Sequence, residues 1–210
     1  MTMNDYVHTA RLESDYKSML HLTGPVITWL PASAGVDPVR GFYPDKYIVT
    51  FNILAPTSQG DAEQHVLEID CSSPAYPRNS PFVKCKTPVV LHPHFYDYGD
   101  VCLGGFPVEE PLAGLCIRLA RFLQFDPTMI NLNSIASSAH NSWYQSNKHR
   151  FPMDHKALPT LPDNVADTVP GFKAGKRRGG EPPALPRLDT GISVPGQIVF
   201  KRRNPGNSPL

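Results

Sequence analysis

The chain has 210 residues and a formal net charge of +1, with 40% hydrophobic and 19% charged residues. That length holds one ordinary domain with an appendage, and a charge so near zero excludes bulk electrostatics as a route to nucleic acid or a membrane surface. No apolar run approaches the ~20 residues that span a bilayer, and residues 1–6 lack the basic-then-apolar order of a signal peptide, so a cytoplasmic protein is expected.

In chain order, a first helix is predicted over about residues 5–21, with Leu12, Tyr16, Met19 and Leu20 on one side. Four strands follow. Residues 26–30 are short and apolar, and residues 46–53 are rich in β-branched and aromatic side chains. Residues 64–71 repeat that character, and residues 82–86 alternate with period two, as a half-buried strand does. Beyond a loop, Leu112, Leu115, Cys116, Leu119, Phe122 and Leu123 recur at helical spacing. Pro111 suits the first turn of that helix, and Phe125-Asp126-Pro127 ends it. A second stripe of Leu132, Ile135, Ala136, Ala139 and Trp143 predicts another helix, capped by Asn131 or Asn133. The sum is an α+β domain: a helix, a four-stranded antiparallel meander, then helices on one face.

Composition changes at Pro152. Ten of the 23 prolines lie from there onward, so residues 1–151 are read as the folded domain and residues 152–210 as a basic, Pro-rich tail, extended or partly disordered. Within it, residues 173–180 form a solvated basic run and residues 196–200 the one apolar patch.

The four cysteines are Cys71, Cys85, Cys102 and Cys116. None forms a C-x-x-C pair, so no metal site is expected, and without a secretory signal the thiols are read as reduced. Cys71 shares a strand face with Leu67 and Ile69, Cys85 shares one with Val83, and Cys116 lies in the apolar helical stripe; all three are read as core. Cys102 differs, because it follows a Gly-containing loop between polar residues, and only an accessible thiolate is a nucleophile.

Cys102 sits eight residues after His94 in the stretch Leu91-His92-Pro93-His94-Phe95-Tyr96-Asp97-Tyr98-Gly99-Asp100-Val101-Cys102-Leu103. Tyr76-Pro77-Arg78-Asn79-Ser80-Pro81 precedes it and Phe125-Asp126-Pro127 follows it. In this order and spacing these landmarks resemble those of ubiquitin-conjugating enzymes, over roughly residues 5–150. The resemblance implies the ubiquitin-conjugating (UBC-like) fold. It implies a thioester on Cys102 that carries another protein's C-terminus to an amine. His92 would fix the shape of the loop. His94 stands where the common eukaryotic enzymes have asparagine, and would take over as oxyanion donor. No cofactor or metal is implied.

Three features depart from the common pattern: His94 itself, Gly104-Gly105-Phe106 after Cys102-Leu103 with no tryptophan in the following loop, and the Pro-rich tail. They resemble divergent conjugating-enzyme relatives of bacterial antiviral-defence operons such as CBASS. The acyl donor would then be a ubiquitin-like protein or the C-terminus of a cyclic-oligonucleotide synthase, not a nucleic acid or a membrane component. No phosphate-binding glycine loop is found, so either a separate protein supplies activation or the partner arrives already activated.

Asp97, Asp100, Glu109 and Glu110 are candidates to orient or deprotonate an incoming lysine, and the residues do not choose among them. Trp143 and Tyr144 are read as packing residues, and His140 as a surface or partly buried side chain. Two other readings stay open: a non-catalytic UBC-like module that only binds a partner, and a cysteine hydrolase pairing Cys102 with His92 or His94.

Overall fold

The computed structural model describes residues 3–162. The basic run at 173–180 and the apolar patch at 196–200 lie outside the described residues.

A helix, α1 (Met3–Met19), leads into strands β1 (Ile27–Pro31) and β2 (Lys46–Phe51). Then come a small ribbon of β3 (Ala55–Thr57) and β4 (Gly60–Ala62), and strands β5 (His65–Asp70) and β6 (Phe82–Cys85). Helices α2 (Leu112–Leu123) and α3 (Ser138–Asn147) complete the order. Strands β1, β2, β5 and β6 pair antiparallel in that order, so the predicted meander is present. Its alternation is strict in β2 and β5: Tyr47, Val49, Phe51, Leu67 and Ile69 are buried while their neighbours are not. The register sets Val49 opposite Leu67, and Ile69 opposite Val83, so one face of the sheet carries the core. The β3–β4 ribbon was not predicted; three-residue strands, one holding Pro56, are too short for periodicity to be legible.

α2 buries Leu112, Leu115, Cys116, Leu119, Phe122 and Leu123 as its spacing requires. It ends where predicted, in a motif with the Asp126 N–H on the Arg121 carbonyl at 3.0 Å and the Phe125 N–H on the Phe122 carbonyl at 2.9 Å. Phe125 occupies the left-handed position, with φ 56°, which costs a non-glycine residue about 1–2 kcal/mol. Rings hold it there: Phe151 stacks on it at 3.9 Å, and His92 meets it edge-on at 4.8 Å.

Two expectations are corrected. Leu20 does not join the inner side of α1 but is exposed; beside Leu12 and Met19 the helix buries Arg11, Ser14, Asp15 and Ser18. These polar groups tolerate burial because they are paired. The Asp15 carboxylate takes Arg11 Nε at 2.9 and 3.0 Å, the Tyr76 hydroxyl at 2.6 Å and the Leu112 N–H at 3.0 Å. Second, residues 131–137 are not helical, and Leu132 and Ile135 are exposed. Asn131 accepts the Asn133 N–H at 3.0 Å, a local turn that competes with helix formation. The cap of α3 is instead Ser137, whose hydroxyl accepts the His140 N–H at 3.1 Å.

Residues 151–162 hold no helix or strand. Within them Asp154 is buried and accepts the N–H groups of Leu54 and Lys156, each at 2.8 Å, and Leu158 and Leu161 pack on the core.

Candidate active site

The eight-residue interval between His94 and Cys102 is a folded-back hairpin. The Tyr96 N–H donates to the Asp100 carbonyl at 2.8 Å, Phe95 bridges Val101, and the Cys102 N–H donates to the His94 carbonyl at 2.8 Å. Its turn passes through Gly99 at φ 95°, where an added Cβ would stand 3.1 Å from the Cys85 carbonyl oxygen. Because paired positions share a face, Phe95 and Val101 go inward together and are buried, and His94 and Cys102 come together on the other face. The hairpin is held to β6 by the Val101 N–H on the Val83 carbonyl at 3.0 Å and the Cys85 N–H on the Gly99 carbonyl at 2.8 Å.

Cys102 is half-buried, whereas Cys71, Cys85 and Cys116 are buried as expected. Burial pushes the Cys71 and Cys116 thiols up, away from the reactive thiolate. Cys102 and His94 line a pocket of about 210 Å³, with Leu103, Phe122 and Met129 apolar and Arg118, Asn131 and Ser134 polar. That volume is small against the ~300–1,000 Å³ usual for small-molecule sites.

The two imidazoles are locked in defined states. His92 is fully buried, and its Nδ1 accepts the His94 backbone N–H at 3.1 Å. Its ring stacks on Phe122 at 5.5 Å. Burial drives its pKa well down, and His94 and His140 add to that. In His94, Nε2 accepts the Asn131 backbone N–H at 3.0 Å, so the neutral ring carries its proton on Nδ1. Nδ1 is buried without a hydrogen-bond partner. Burial lowers the His94 pKa as well, against an opposing contact with the Ser134 backbone. In this arrangement neither His94 nitrogen offers an N–H or a lone pair to the pocket. His94 instead fastens the wall formed by residues 131–134.

The four acidic candidates separate. Glu110 is committed to Arg118 through two contacts of 3.0 and 2.7 Å. Asp100 faces Lys84 at 3.5 Å. Asp97, largely exposed at the hairpin tip, accepts the Ser137 hydroxyl at 2.6 Å, with His140 Nε2 at 3.4 Å. Glu109 is exposed. His140, expected at the surface or partly buried, is buried, with Nδ1 on the Phe95 carbonyl at 2.8 Å.

Sequence reasoning missed Arg118 and Asn131. The one available signal for Arg118 was a charge set among the apolar residues of α2. Asn131 contributes its backbone N–H, which no side-chain pattern reports.

Among the described residues no three His, Cys, Asp or Glu side chains converge to hold a metal, and no helix is long and apolar enough to cross a membrane. No family model matches the chain, and no curated protein matches it. Among solved structures it is similar to human ubiquitin-conjugating enzyme E2 G1, at 18% identity and a TM-score of 0.40, over 55% of this chain and 93% of that one.

Proposed function

We propose that this chain is a ubiquitin-conjugating-like acyltransferase with a UBC-like fold, using Cys102 as its acyl carrier. One observation carries the reading: Cys102, the one of the four cysteines that is not buried, lines a pocket on a hairpin face it shares with His94. The ordered landmarks around it support the same reading. In the first step the Cys102 thiolate attacks the carbonyl carbon of a protein C-terminus already activated as a thioester. The new C–S bond forms as the old one breaks, and the carrier leaves as a thiolate. In the second step an amine attacks, an amide forms, the amine loses a proton to solvent or a nearby carboxylate, and Cys102 departs as thiolate.

Both steps place negative charge on the carbonyl oxygen, and a missing oxyanion donor in other acyl-transfer enzymes costs ~10²–10³ in rate. We assign that role to His94 once the ring is released from Asn131 and turned so that its Nδ1–H faces the pocket; in its observed setting it braces the pocket wall, and His92 braces His94. In the observed setting the lone pair of each imidazole is taken by a backbone N–H, so neither ring is poised to deprotonate Cys102 as a hydrolase would need. The donor we assign is a ubiquitin-like protein or the C-terminus of a cyclic-oligonucleotide synthase, activated by a separate protein, in bacterial antiphage defence of the CBASS type. A reducing cytoplasm suits the free thiol.

A peptide glycyl thioester tests the chemistry directly. The wild type is expected to form an adduct cleaved by added thiol. Cys102→Ala should form none, and Cys102→Lys should form a thiol-resistant amide. A folded wild type that never takes the acyl group, or that only releases free peptide acid, ends the conjugating reading.

A further inference from the structure

We infer that Arg118 is a positioning residue for the Cys102 nucleophile, an inference that rests on the acyl-carrier role just proposed. Cys102 ends its hairpin, and the chain beyond it runs without helix or strand to α2. Leu103 and Phe106 reach the core, but a Cβ at Gly104, with φ 64°, or at Gly105 would meet nothing within 4 Å, so no packing holds the turn at its glycines. Arg118 does so from α2. Its Nη1 donates to the Leu103 carbonyl at 2.8 Å, while Nε and Nη2 grip Glu110 at 3.0 and 2.7 Å. Glu110 is in turn held through its own carbonyl by Arg11 Nη2 at 2.5 Å, and Arg11 Nη1 holds the Val108 carbonyl. Two arginine forks, one from each helix, therefore pin the loop on both sides of its glycines.

The fork requires a guanidinium. Its planar donors meet a carboxylate and a carbonyl at once in set directions, which a lysine ammonium on a flexible stem does not reproduce. Arg118 also lines the pocket beside Cys102, so the held carbonyl belongs to the residue next to the reacting sulfur. Released, the Leu103–Gly104 peptide rotates, and the Cys102 sulfur one residue back loses its approach line to the acyl carbon. Misplacement of about 1 Å at a reacting group costs on the order of 10²-fold in rate.

The test compares Arg118→Lys and Glu110→Gln with wild type in two measurements. The first is the backbone order parameter of residues 103–106 by NMR relaxation. The second is acyl uptake from a peptide glycyl thioester, with kcat and KM separated. Labelling of Cys71, Cys85 and Cys116 by a thiol reagent reports unfolding, since all three are buried. Both variants are expected to leave those cysteines unlabelled. The order parameter at residues 103–106 should drop from about 0.85 to below about 0.6. The kcat should fall on the order of 10–100-fold with KM unchanged. If Arg118→Lys does not fold, Glu110→Gln decides alone, since it loosens the same fork. An unchanged order parameter, or a loosened loop with undiminished kcat, overturns the inference. A wild type that takes up no acyl group refutes the thioester reading instead, and the order parameter still decides whether the fork holds the loop.

Discussion

Asp15→Ala is the perturbation whose outcome the structure specifies most tightly. The carboxylate is fully buried and receives three donors: the Arg11 Nε–H shared between its two oxygens, the Tyr76 hydroxyl and the Leu112 N–H. Removing it leaves the Arg11 guanidinium, itself buried, without a counter-ion. Breaking a buried ion pair by deleting one partner costs about 3–5 kcal/mol. At roughly 2–4 °C per kcal/mol for a chain of this size, the expected fall in Tm is about 6–20 °C. Urea unfolding, followed by fluorescence and by far-UV circular dichroism, gives the free energy directly. The double variant Arg11→Met/Asp15→Leu should recover a large part of the loss, because two apolar side chains carry no desolvation penalty. Its acyl transfer should nevertheless stay low, since the Val108 and Glu110 carbonyls lose the donors of Arg11. A loss below about 1 kcal/mol for Asp15→Ala, the range of exposed pairs, would refute the account of α1 as a helix docked through buried charge.

Two further outcomes follow from the imidazoles. His94→Ala should slow acyl transfer by about 10²-fold or more while His94→Asn retains most of it; equal rates for wild type and His94→Ala, with unchanged stability, would remove His94 from the site. Burial lowers the pKa of His65, His92 and His94 below the ordinary value. Between that value and the folded pKa the unfolded chain binds more protons, so stability present above about pH 6.5 declines as pH falls through it. The urea midpoint should therefore drop between pH 7.5 and 5.5, the three rings outweighing the one buried carboxyl, Asp15, that burial raises and that acts in the opposite sense; a flat midpoint across that window contradicts the buried neutral rings.

Much of this arrangement was legible in the residues because burial of apolar side chains leaves a local period. β-Branched and aromatic content in 46–53 and 64–71 and alternation in 82–86 gave strands, the stripe of α2 gave its inward face, and Phe125-Asp126-Pro127 gave its end. The same argument set Cys71, Cys85 and Cys116 aside as core and left Cys102 as the candidate nucleophile. Periodicity was blind to burial secured by pairing. Arg11 and Asp15, four residues apart on a helix, look like an ordinary solvent-exposed ion pair. Only the fold reveals that Asp15 meets a backbone N–H 97 residues away.

The sequence by itself determined the order of helix, meander and helices, and the choice of Cys102 as the cysteine outside the core. Tertiary structure alone decided the state of each imidazole, the turn at 131–137 in place of a helix, and the grip of Arg118 on the Leu103 carbonyl. The physical reason is that apolar burial repeats with the local geometry of the chain. A hydrogen bond to a backbone group depends on where a distant segment's carbonyl or N–H comes to rest, and every residue type but proline carries both.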